Sequence, residues 1–258
     1  MRLMKRILSA AAVLALSASL LVGCSSGTAS SVPVSASSAA ESTVSSVEET
    51  ASSAVDENEA AAAQLLNDLT GSYQELWPVI LADEYKQTWL DDCTALVGED
   101  NAEAAFEKLS SMVTGDVYGE DAVKAYANGG GAYFCGFTNS LAILTFDGET
   151  STISGTDKDG NVLFSHTYHY IGMEPVRGLY EFQSDDADSG EFTYFFLAPD
   201  TSAETYHIEF RYGSDADALS QYDAGEYAYW VASGISTDCD QTMIDNCIEL
   251  FCTENLAG

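Results

Sequence analysis

Only three histidines occur in this 258-residue sequence, and one of them, His207, has a second metal-ligating residue at a useful spacing. In Thr205-Tyr206-His207-Ile208-Glu209-Phe210-Arg211-Tyr212 the odd positions are polar and the even ones apolar. A β-strand with this alternation sends His207 and Glu209 from the same face, where both can reach one cation. Imidazole nitrogen and carboxylate oxygen suit a divalent metal such as zinc, which wants about three or four ligands, so the pair is an incomplete site. A solvated strand face, with Glu209 beside Arg211 or His207, accounts for the same residues. His166 and His169 are three apart in another strand pattern and therefore point to opposite sides.

Other chemistries find less support. Besides Cys24 the chain holds Cys93, Cys135, Cys239, Cys247 and Cys252, an odd number that leaves at least one thiol over. No spacing is C-x-x-C, which weighs against a structural zinc site or a thioredoxin-like pair. Cys247 and Cys252 lie five apart in a helical pattern and diverge around the helix. Buried thiols with room for one disulfide are the expectation. Asp157-x-Asp159-Gly160 and Asp186-x-Asp188-Ser189-Gly190 lack the spacing and flanking helices of a calcium loop and read as turns. There is no Gly-x-Ser-x-Gly, and Gly129-Gly130-Gly131 lacks the lysine of a phosphate loop. Catalysis is not expected.

The elements that must position these residues follow from hydrophobic period. Asn58 to Leu69, Val79 to Leu96 and Ala102 to Met112 repeat apolar residues every three or four positions and predict helices, with Gly71 to Pro78 as a break. From about Ala132 the period becomes two. Leu141 to Phe146, Thr150 to Gly155, Val162 to Ile171, Gly178 to Gln183, Glu191 to Ala198 and Glu204 to Tyr212 predict strands joined by turn residues. Six or so sequential hairpin strands imply an antiparallel meander that closes, or nearly closes, into a barrel. Asp238 to Leu256 returns to a helical period behind Ser236 or Thr237 as N-cap. The fold class is mainly β (α+β), with N-terminal helices and a C-terminal helix.

The chain also carries an address. Arg2, Lys5 and Arg6 precede an apolar stretch, Ile7 to Leu20, that is too short to span a membrane and ends in Leu21-Val22-Gly23-Cys24. That ending matches a lipoprotein signal cleaved before a cysteine that becomes diacylated. The expected organisation is a signal peptide at 1–23, lipidated Cys24 with a Ser/Ala/Glu-rich disordered tether to 60, and one domain at 61–258. Two acyl chains suffice for stable anchoring at the extracytoplasmic face of the cell membrane. Loss of the signal removes three of nine basic residues and no acidic one, taking the formal charge from −32 to −35. A surface this acidic excludes nucleic acid as a partner and disfavours direct contact with anionic headgroups.

The domain resembles the ZinT (YodA) metal-binding family, whose members are calycin-like, lipocalin-related barrels. The resemblance runs over most of residues 68 to 252. It rests on Gly71-Ser-Tyr73-Gln74-Glu-Leu76-Trp77-Pro78-Val79-Ile80-Leu81, on Tyr168-His-Tyr170-Ile171-Gly172 and on Leu179-Tyr180-Glu181-Phe182. Phe192 to Pro199, with its Ala198-Pro199, and His207-Ile208 add to it. The resemblance implies zinc binding through three histidines, one placed three residues before the Ala-Pro and two in a His-aromatic-His triplet. Here the first falls on Phe195 and the triplet reads Thr205-Tyr206-His207, so two of the three are not retained. Either His207 and Glu209 recruit Glu204 or Asp200, or Phe195, Tyr194 and Tyr206 line an aromatic pocket. The first alternative makes this a surface-anchored zinc binder, accessory to uptake by a metal ABC transporter. The second makes it a degenerate calycin-like binding or interaction module that no longer binds metal.

Overall fold

The computed structural model describes residues 57–127, 130–198 and 207–257. The proposed signal, Cys24 and most of the tether lie outside the described residues, as do Gly129, Asp200 and 204–206. No described helix is long and apolar enough to cross a membrane.

Eight antiparallel strands close into a barrel in sequence order. They are β1 (Gly71–Glu75), β2 (Ile143–Asp147), β3 (Thr152–Thr156), β4 (Val162–Met173), β5 (Tyr180–Ser184), β6 (Tyr194–Leu197), β7 (His207–Gly213) and β8 (Ala232–Ser236). Closure comes from β1, which pairs with β2 on one side and with β8 on the other. The predicted meander is therefore present, and it has two more strands than the period showed. β1 occupies much of the stretch read as a break between helices. β8, Ala-Ser-Gly-Ile-Ser, is made of small residues and is almost wholly buried on both faces, so it shows no alternation of polarity.

Inward side chains fill the barrel. Leu144, Ile153, Phe182, Phe195, Phe210 and Tyr212 are each 1% exposed or less, and the Phe195 ring stacks near Tyr212 and Phe164. The helix at 57–68, here α1, packs Ala62, Leu65 and Leu66 into the same core. Its backbone presses on the β2–β3 turn so closely that a Cβ on Gly148 would lie 2.4 Å from Asn67 Cα.

A second core lies outside the barrel. It joins α2 (Leu76–Ile80), α3 (Lys86–Val97), α4 (Glu99–Val113) and α7 (Gln241–Leu256), with Ile235 of β8 in the same cluster. Two shorter helices, α5 (Glu120–Ala125) and α6 (Ala216–Leu219), were not evident from the period. The helix expected over Val79 to Leu96 is two helices and a 3-10 turn at Asp83–Tyr85. Pro78 sits in the first turn of α2, where the missing N–H costs nothing. The C-terminal helix starts later than expected: its N-cap is Asp240, whose carboxylate accepts from Met243 N at 3.0 Å, in place of Ser236 or Thr237. Ser236 belongs to β8 instead.

Candidate functional site

β7 alternates as its sequence requires. Ile208, Phe210 and Tyr212 point into the barrel core, so His207, Glu209 and Arg211 point out. The outward face is less solvated than a polar strand face would suggest. Arg211 is wholly buried: its guanidinium donates to the carbonyls of Leu219, Gln221 and Tyr227 and lies 4.4 Å from the centre of the Tyr222 ring. Burial lowers its pKa. This side chain therefore fastens the 214–230 segment to the barrel.

His207 and Glu209 are half-buried and face the C-terminal helix. Together with Leu76, Trp77 and Ile80 of α2 and Cys247, Leu250, Phe251 and Glu254 of α7, they line a cavity of about 30 Å³. That is room for a single water or ion. Cys247 and Glu254 are seven apart, two helical turns, and so share one face of α7 with Leu250 and Phe251. Burial, reinforced by Glu209 and then Glu254, pushes the Cys247 thiol up to about 12. On the other side of Glu209, burial likewise pushes the Cys135 thiol up to about 12; Glu209 adds to the shift, while Ser233 and Trp77 oppose it. Within the cavity, Glu209 and Glu254 thus place negative charge near the buried Cys247 thiol.

The sequence placed His207 and Glu209 together on one face, and they are together. It did not place Cys247 or Glu254 beside them, although their heptad spacing was available as a signal. Of the other suggested ligands, Asp200 and Glu204 lie outside the described residues. Among the described residues, no three His, Cys, Asp or Glu side chains gather closely enough to hold a metal ion.

The remaining candidates resolve differently. Phe195, the position of the first implied family histidine, projects into the barrel, away from the face that carries His207. It is fully buried and packed against aromatic neighbours, so it fills the interior and lines no open pocket; Tyr206 lies outside the described residues. His166 and His169 diverge as expected, yet each finds a carboxylate on the β5–β6 turn. His166 Nδ1 is 2.7 Å from Asp186 and His169 Nδ1 is 2.6 Å from Asp185. The Asp157 turn is an Asx turn in which its carboxylate accepts from Asp159 N and Asn161 N, leaving no reason to invoke calcium.

No family model and no curated protein matches this sequence. Among solved structures, the chain is similar to the Zn(II)-bound ZinT-like domain of Streptococcus pneumoniae AdcA, at 16% identity and a TM-score of 0.45 over 71% of this chain and 89% of that one. It is also similar to Zn(II)-bound AdcA from Streptococcus pneumoniae, at 17% identity and a TM-score of 0.41 over 72% of this chain. This chain spans 35% of that longer protein.

Proposed function

We propose that this chain is a lipid-anchored, extracytoplasmic barrel that captures a divalent metal ion, zinc by the nature of its donors, and acts as an accessory to a metal uptake transporter. One observation carries the binding reading: His207 and Glu209 of β7 share a cavity with Cys247 and Glu254 of α7. An imidazole, two carboxylates and a thiol form a donor set that zinc accepts and that magnesium or calcium does not favour. The three-histidine site implied by the resemblance does not fit, because its first position is the buried Phe195. The β7–α7 donors fit zinc by type. No three of these donors stand close enough to hold an ion as the side chains are placed, so His207 and Glu209 would hold it from the strand and Glu254 or Cys247 would join only by turning toward it. Zinc would serve here as cargo, so the reading calls for binding and release and for no catalysis.

The test is a calorimetric zinc titration of the chain beside His207→Ala and Glu254→Gln. Saturable binding, weakened at least about tenfold by His207→Ala (about 1.4 kcal/mol), is the expected result. Glu254→Gln should weaken it by a smaller factor. Micromolar zinc with no saturable heat, or binding indifferent to His207, would remove the reading and leave a binding or interaction module of another kind.

A further inference from the structure

The helix that completes the candidate cavity carries, on its other side, one half of a sulfur pair. Cys93 of α3 and Cys252 of α7 are both 0% exposed, and their Sγ atoms lie 3.9 Å apart across 159 residues of sequence. α3 and α7 pack directly on one another in the outer core, so the approach is part of a helix–helix interface and not a chance meeting of loops. Among the described residues no other two cysteines are brought into thiol contact. Cys135 sits beside β8, and Cys247 faces the β7 cavity. A disulfide needs its sulfurs at about 2.05 Å, a closure of roughly 2 Å from the contact seen.

We propose that Cys93 and Cys252 form a disulfide when the chain folds in the presence of a disulfide oxidant, a small-molecule or protein disulfide. One cysteine, as thiolate, attacks a sulfur of the oxidant, which breaks the oxidant's S–S bond and releases one of its halves as a thiol. The second cysteine then attacks the mixed disulfide and releases the other half. The two cysteines together lose two electrons and two protons, and the oxidant gains them as two thiols. Burial raises both thiols above their ordinary range in the folded protein, so exchange proceeds while α7 is still undocked. The bond then fixes α7 against α3. Since Cys247 and Glu254 flank Cys252 on the same helix, it also fixes the helical half of the cavity. The disulfide does not depend on zinc being the occupant, and an exported chain would meet such oxidants.

The test refolds the full chain in a mixture of oxidised and reduced glutathione, traps free thiols with N-ethylmaleimide, digests without reduction and maps the peptides by mass spectrometry. The expected result is one cross-linked pair containing Cys93 and Cys252, lighter by two hydrogens than the separate peptides, with Cys135 and Cys247 alkylated. In Cys252→Ser the linked pair disappears and Cys93 is alkylated. Full alkylation of both cysteines in the unsubstituted chain, or linkage of either one to Cys135, Cys239 or Cys247, would overturn the proposal. Neither result depends on metal affinity, so the failure of this proposal and the failure of the zinc reading are separate outcomes.

Discussion

Replacing Tyr212 with Phe removes one oxygen from the middle of the barrel and tests how the segment before β2 is held. The Tyr212 hydroxyl accepts from Thr138 N at 2.6 Å and from Thr138 Oγ1 at 3.0 Å, and it donates to Thr138 O at 2.9 Å. The ring itself is fully buried against Trp230 and Phe195, and Phe reproduces that packing. Thr138 O keeps a second donor, Leu141 N at 3.0 Å, so its loss is partial. Thr138 N has no such substitute among the described contacts. One buried donor left unpaired costs about 1–3 kcal/mol, and each lost neutral hydrogen bond about 0.5–1.5 kcal/mol. Because Thr138 is half-exposed, water recovers part of this, and about 2 kcal/mol is the expected net loss.

Urea unfolding followed by far-ultraviolet circular dichroism measures it. The midpoint should fall with an unchanged slope, and the thermal midpoint should drop by about 4–8 °C for a domain of this size. Thr138→Val, which removes only the side-chain donor, should cost well under half as much. A loss below about 0.5 kcal/mol for Tyr212→Phe, or equal losses for the two variants, would refute the claim that the hydroxyl pins the backbone at Thr138.

Alkali and the α1 contact give two further tests, and the disulfide acquires a magnitude. Burial is the leading cause that raises Tyr168, Tyr212 and Tyr222 above the ordinary 10.0, Tyr222 to about 12. Above about pH 10 the unfolded chain releases these protons while the folded one keeps them, so stability is full below that pH and falls as pH rises beyond it; a flat urea midpoint up to about pH 11.5 would contradict this. Gly148→Ala should destabilise by about 2 kcal/mol or more, read in the same assay, because its Cβ would meet backbone atoms of Asn67 and Leu66 that cannot rotate away. Closing a 159-residue loop corresponds to about 5 kcal/mol by chain entropy, and native disulfides more often deliver about 2–4. Reduction of the Cys93–Cys252 bond should therefore lower the thermal midpoint by roughly 5–12 °C, and an unchanged midpoint would argue that the bond carries no constraint.

The barrel was legible wherever a strand has one wet face and one dry one. β2 to β5 and the start of β7 alternate, while β6 is apolar throughout, and all six were found within a few residues of their ends. β8 is dry on both faces and β1 is five residues wedged between helices, so neither offers a periodic signal, yet these two close the barrel. The break at Asp83–Tyr85 went unseen because its flanks keep the helical spacing. The strand half of the candidate site could be read from residues 207 and 209 alone. Its helical half could not, because the contact of α7 with β7 joins residues far apart in sequence, and one sequence records no pairing of that kind. The same limit hid Cys93 with Cys252, since spacing alone cannot choose among cysteine pairs.

Packing alone gives little reason for the outward stripe of β7. A strand face covered by helices is expected to be apolar, as Ile235 on the neighbouring strand is, and polar groups placed there must each find a partner. Arg211 meets most of that demand with three backbone carbonyls and an aromatic face, only its Nε staying unpartnered, which makes it structural. Glu209 and His207 border a small cavity that two more ligand-type residues of α7 also border, and Glu209 adds to the burial that raises both neighbouring thiols. An apolar pair at these two positions would bury more surface and leave Cys135 and Cys247 as ordinary core thiols. A local rule that fails while the surrounding fold obeys it marks positions at which to test for function. On that ground His207 and Glu209 are the first residues to substitute in any test of what this barrel binds.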